Sequence, residues 1–163
     1  MPAIHHIVVP VDFGEASDAA LAYARMLALR FNASMSVVNV HDDEALALVA
    51  ILPPHVSLPD TSDDERKGLE ARLTALVRPG DAPQGTSVEV LHGPTSKAIV
   101  EYADRCGASL IVMGTHGRRG LTHAVLGSVA AQVLRMASCP VLVVRRTAEL
   151  AHGYVTSPVA ATG

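Results

Sequence analysis

The chain has 163 residues, 49% hydrophobic and 18% charged, which excludes a disordered polymer and gives length enough for one domain with a substantial core. A formal charge of -3 and 3% aromatic residues, with no Trp, exclude nucleic acid as the main partner, because both the basic footprint and the stacking platform are missing. With so few rings the core must be Val, Leu, Ile and Ala, the composition of a parallel sheet packed under helices.

Ile4 to Val11 is β-branched and apolar, a buried first strand that stops at Asp12. His5 and His6 open it. Adjacent strand residues point to opposite faces, so the pair does not converge on one metal and suits edge or surface positions. Asp12 at the carboxyl end of a central parallel strand stands in the crevice where open α/β sheets bind ligands; a turn or cap role before the next helix is the alternative. Glu15 to Phe31 is helical, with Ala20, Ala24, Leu27 and Phe31 on one face, Glu15 and Asp18 in the first turn and Asn32 placed to end it. Ser34 to His41 is the second strand. Residues 42–60 carry an apolar stretch, Ala45 to Leu52, cut by Pro53-Pro54; a short helix, a lid and a partner-covered patch all fit. Asp42-Asp43-Glu44 lacks ligand geometry and reads as a solvated turn.

Ser62 to Val77 opens on the capping box Ser62-x-x-Glu65 and carries the stripe Leu69, Leu73, Leu76, Val77 before Pro79-Gly80. Ser87 to His92 is the third strand. Thr95 to Cys106 is a helix with Ala98, Ile99, Tyr102, Ala103 and Cys106 inward, closed by Gly107. Gly93-Pro94-Thr95-Ser96-Lys97 lacks the Gly-Lys-Ser/Thr order of a phosphate-binding Walker loop. Leu110 to Met113 is the fourth strand, Ser128 to Ala137 the fourth helix and Val141 to Arg145 the fifth strand. The alternation β-α-β-α-β-α-β-α-β implies a parallel sheet with right-handed crossovers and helices on both faces. Residues 1–146 form the domain, and 147–163 are a tail with few anchors. Cys106 and Cys139 lack a CxxC partner and read as buried or idle thiols. No apolar run approaches the roughly 20 residues of a membrane span, and MPAIHHIVVPVD enters a strand without a charged-then-apolar leader, so a cytoplasmic protein is expected.

The strongest functional signal is Ile111 to Ala130, IVMGTHGRRGLTHAVLGSVA, in which Gly114, Gly117, Gly127 and Ser128 are spaced G-x2-G-x9-G-S. Glycines turn through positive φ and let an anion approach the backbone. A helix N-terminus adds unpaired N–H groups and the positive end of the macrodipole. Ser128 is the expected N-cap, and His116, Arg118 and Arg119 add possible positive charge.

With that loop after strand four, the chain resembles the universal stress protein family over about residues 3 to 146. The resemblance rests on the G-x2-G-x9-G-(S/T) signature of the ATP-binding branch, on the opening IVVPVD, on NVHD after strand two, and on SLIVMGTHG and SCPVLVVR. It implies a three-layer, open, twisted five-stranded parallel sheet of order 3-2-1-4-5. In that order the loops after Val11 and Met113 face each other at the switch point. Carried over by position, Pro10, Val11 and Asp12 border adenine and ribose, Val40 offers backbone groups to the adenine edge, and Met113 and Gly114 flank the ribose. Gly117, Gly127, Ser128 and Val129 hold the phosphates, with His116 and Arg118 as further contacts. Mg²⁺ is expected on the phosphate oxygens, without a dedicated protein site.

The branch also implies a homodimer through the fifth-strand edge. Its expected function is nucleotide-dependent regulation in a stress response, with an unidentified protein partner. The alternative is a slow ATP hydrolase or nucleotidyl-transfer enzyme in the same pocket; with no Walker lysine, and only Asp12, His116 and His123 as bases, no catalytic residue is assigned.

Overall fold

The computed structural model describes residues 3–41, 62–77, 80, 82–115 and 126–145. The segment 42–61, His116, Gly117, Arg118, Arg119 and His123 of the glycine loop, and the tail lie outside the described residues.

Five strands, β1 (His6–Pro10), β2 (Ser34–His41), β3 (Thr86–His92), β4 (Leu110–Gly114) and β5 (Val141–Val144), form one parallel sheet in the order β3-β2-β1-β4-β5. The helices are α1 (Glu15–Phe31), α2 (Ser62–Leu76), α3 (Thr95–Arg105) and α4 (Ser128–Met136). Pleating divides the strand residues between two cores. Ile7, Val9, Val11, Met35, Val37, Leu110, Val112 and Val144 face α1 and Leu73 of α2. Val8, Val38, Ile111 and Met113 face α3 and α4, whose Ile99, Tyr102, Ala103, Ala130 and Val133 complete the second core. The order has a simple cause. The crossovers through α1 and α2 add strands on one side of β1, and those through α3 and α4 return the chain to its other side, on the other face. β1 is therefore flanked by β2 and β4, with Ile7 opposite both Met35 and Leu110.

Helix α1 keeps its expected bounds and ends on Asn32 at φ 52 and ψ 43, the left-handed cap foreseen from the sequence. Phe31 departs from its expected inward face. It is 50% exposed at the last residue of the helix, while the buried stripe runs through Ala20, Leu21, Ala24 and Ala28. Cys106 also departs: it caps α3 at the surface and is exposed, while Cys139 is half-buried. Burial nevertheless pushes both thiols above their ordinary pKa.

Of the two histidines, His6 opens a central strand rather than an edge, and His5 precedes it at the surface. His5 is exposed, but His6 lies in a polar cluster at the amino end of the sheet. Its Nδ1 is 2.5 Å from Ser34 Oγ and its Nε2 is 3.0 Å from Ser36 Oγ. Ser36 Oγ is 2.9 Å from Ser87 Oγ and accepts the Tyr102 hydroxyl at 3.2 Å. A neutral ring protonated on Nδ1 satisfies this arrangement: Nδ1–H donates to Ser34, and Ser36 donates to Nε2. Burial first, and the neighbouring His5 second, hold the His6 pKa below its ordinary 6.5. The unfolded chain therefore takes up the proton before the folded one does. Stability is complete above the unfolded value and declines as pH falls from there through the lowered folded value. Urea unfolding followed from about pH 8 to 5 is expected to show this slope in the wild type and a shallower one in His6→Gln. Equal slopes in the two proteins would remove His6 as its source.

Candidate functional site

The switch point lies at the carboxyl ends of β1 and β4, and each lip is built by short-range chemistry. On the β1 side the backbone runs straight out of the strand. Val11 donates its N–H to the Val38 carbonyl at 2.8 Å, and its own carbonyl accepts the buried Asn39 Nδ2 at 2.7 Å. Pro10 is half-buried at the strand end and Val11 fully buried, so the rim offers backbone and not the Val11 side chain. Asp12 is half-buried, and its Oδ1 accepts the Gly14 N–H at 3.1 Å. Ser17, 4% exposed, ties off the turn. Its Oγ accepts the N–H groups of Asp12 at 3.4 Å and Gly14 at 3.2 Å and donates to the Gly14 carbonyl at 2.8 Å. Asp12 thus serves as the turn residue of the alternative reading while standing at the crevice.

This lip is acidic. Asp18 has its pKa raised, first by burial and then by the charges of Asp12 and Glu15. An added anion meets like charge here, which disfavours this lip for a phosphate.

The β4 side supplies the other lip. Met113 is buried against the α3–α4 core, and Gly114 ends the strand paired with Val144. A Cβ at Gly114 would lie 2.7 Å from the Ala16 carbonyl carbon and 2.8 Å from its oxygen. The residue is therefore required by the approach of β4 to α1, whatever else it does. Thr115 is buried, donates its N–H to the Val144 carbonyl at 3.1 Å, and accepts the Gly127 N–H at 2.7 Å. The last of these contacts draws together the two ends of the glycine loop, with α4 starting at once beyond it.

Two expectations for this loop are corrected. Gly127, at φ -59 and ψ 150, is the N-cap of α4, and Ser128 is the first helical residue, exposed. The helix's first bond, Ala131 N–H to the Gly127 carbonyl at 2.9 Å, fixes that phase. Neither Gly114 nor Gly127 uses positive φ, so the glycine requirement here is one of space rather than of backbone turn. An α-helix leaves its first N–H groups without intrahelical acceptors, so the backbone at Ser128, Val129 and Ala130 presents donors at the positive end of the α4 dipole. Val129 is half-buried in the α3–α4 core, and Val40, also half-buried, lies near the carboxyl end of β2 on the same face. Ser96 Oγ donates to Gln132 Oε1 at 2.5 Å and braces α4 against α3.

Three residues that shape the rim were missed from the sequence: Asn39, Ser17 and Phe13. Asn39 was detectable as a lone amide in an otherwise apolar strand end, and Ser17 by its capping-box distance from Gly14. Phe13 carried no local signal.

The fold and rim define an open, doubly wound α/β protein whose candidate site is the crevice between the two central strands. The chain belongs to the universal stress protein family, whose model matches residues 3–145. Universal stress protein MJ0531 of Methanocaldococcus jannaschii is 34% identical over 147 residues, covering 86% of this chain and 81% of that protein. Among solved structures, hypothetical protein MJ0577 superposes with a TM-score of 0.65 at 25% identity, over 89% of this chain and 98% of the other. A universal stress protein in complex with cAMP superposes at 0.59 with 23% identity, over 89% and 99% of the two chains. Among the described residues no helix is long and apolar enough to cross a membrane.

Proposed function

We propose that this chain is an ATP-binding member of its family that acts as a nucleotide-dependent regulatory protein. The observation that carries the reading is the G-x2-G-x9-G-S spacing combined with the 2.7 Å bond from the Gly127 N–H to the Thr115 carbonyl, which closes the loop directly at the start of α4. Triphosphate oxygens take the α4 N–H groups and the Ser128 hydroxyl, with Gly117, His116 and Arg118 from the loop. Adenine and ribose lie toward Pro10, Val11, Asp12, Val40, Met113 and Gly114. Division of the crevice into an acidic β1 lip and a dipole-positive α4 lip supports this polarity. The relative solved with cAMP carries an adenine nucleotide, which supports the class of ligand.

Mg²⁺ would be held through the phosphate oxygens rather than by a dedicated protein site, and would supply neutralising charge there. The half-buried Val141, Leu142 and Val143 of the terminal strand β5 support pairing with a second copy across that edge.

The test is thermal or urea unfolding with and without MgATP. At ligand near one hundred times Kd the gain is expected to be about 2.7 kcal/mol. Unfolding indifferent to millimolar MgATP would overturn the reading.

A further inference from the structure

Phe13 is the strained residue of the β1 lip. It is one of two non-glycine residues at positive φ among the described residues, at φ 62; the other, Asn32, is a residue type that tolerates this region as a helix cap. An aromatic side chain is disfavoured there unless its surroundings compensate. Its place in the turn explains why the conformation is kept. Phe13 separates Asp12 from Gly14, and the left-handed bend folds the Gly14 N–H back onto Asp12 Oδ1. The ring is engaged elsewhere: it packs on the α1–α2 core, and the Arg72 guanidinium of α2 lies 3.8 Å from its centroid. Planar guanidinium over a ring combines stacking with cation–π attraction.

We propose that Phe13 and Arg72 are a positioning pair: the stack from α2 holds the β1–α1 turn in its left-handed form and so sets the Asp12 carboxylate and backbone at the adenine–ribose end of the site. The inference rests on the nucleotide reading above. Both act through the β1–α1 turn, which the nucleotide reading assigns to the nucleoside, so their effect falls on the nucleoside half.

The experiment measures Kd for adenosine and for MgATP by calorimetry in the wild type, Arg72→Ala, Arg72→Lys and Phe13→Ala. Arg72 is exposed on a helix and Ala is the best helix former, so Arg72→Ala keeps the fold even where Phe13→Ala does not. Arg72→Ala is expected to weaken adenosine and MgATP equally, by about fivefold, with Arg72→Lys intermediate because it keeps charge and loses the plane. A residue that only stabilised the fold would lower the melting temperature and leave both constants unchanged below it. Wild-type affinities in Arg72→Ala, or a loss for MgATP alone, would overturn the pairing while leaving the nucleotide reading intact. A wild-type protein that binds neither ligand would overturn the nucleotide reading, and this inference with it.

Discussion

Gly114→Ala is expected to destabilise the fold by about 3 kcal/mol, the upper end of the usual range for overpacking. The added methyl group would meet the Ala16 carbonyl carbon at 2.7 Å, its oxygen at 2.8 Å and its Cβ at 3.0 Å. Two of these atoms are backbone, so no rotamer change relieves the contact. β4 must move away from the first turn of α1, and β4 is hydrogen-bonded on both sides, to β1 and β5. For a chain of this size the change lowers the melting temperature by about 6–12 °C. Gly68→Ala is the control. It lies within α2, a Cβ there meets nothing within 4 Å, and the substitution is expected to stabilise by about 0.5–1 kcal/mol. If the two alanines give equal melting temperatures, the close approach of β4 to α1 is wrong.

Gly127→Val is expected to abolish detectable MgATP binding while the protein remains folded and still binds adenosine. The backbone at φ -59 and ψ 150 is open to a β-branched residue, and the valine conserves the N–H that Thr115 accepts. The cost to the fold is a poorer N-cap, about 1 kcal/mol. The cost to the ligand is larger, because an isopropyl group at the mouth of α4 occupies the space in which phosphate oxygens would reach the first N–H groups of the helix. Calorimetric titration with MgATP and with adenosine, beside a melting curve, separates the two effects. Wild-type MgATP affinity in a folded Gly127→Val protein would remove the α4 terminus from the site.

Elements were legible where burial is reported by the chain's own periodicity. Glu15–Phe31 and Ser34–His41 have the bounds that the apolar pattern and the Asn32 cap predict, and the remaining elements differ by no more than two residues at either end. Reading failed where a residue's surroundings come from distant chain. Phe31 fits the helical stripe, yet at the helix's last residue it is left half exposed. His6 looked like a surface residue because nothing local announces that Ser36, Ser87 and Tyr102 close around it. The N-cap of α4 lies one residue earlier than expected, since Gly and Ser both make good caps and the bond from the Ala131 N–H to the Gly127 carbonyl decides between them.

Composition and alternation alone determined a parallel α/β sheet of aliphatic residues, and the spacing around Gly114 and Gly127 marked one loop as the place to look. The tertiary structure decided the rest: which lip of the crevice is acidic, why Gly114 must lack a side chain, and why Phe13 is held left-handed beneath Arg72. The physical reason is range. Periodicity follows from how each segment buries its own face, whereas charge coupling, close approach and compensated strain depend on atoms that only the finished fold brings within a few ångströms.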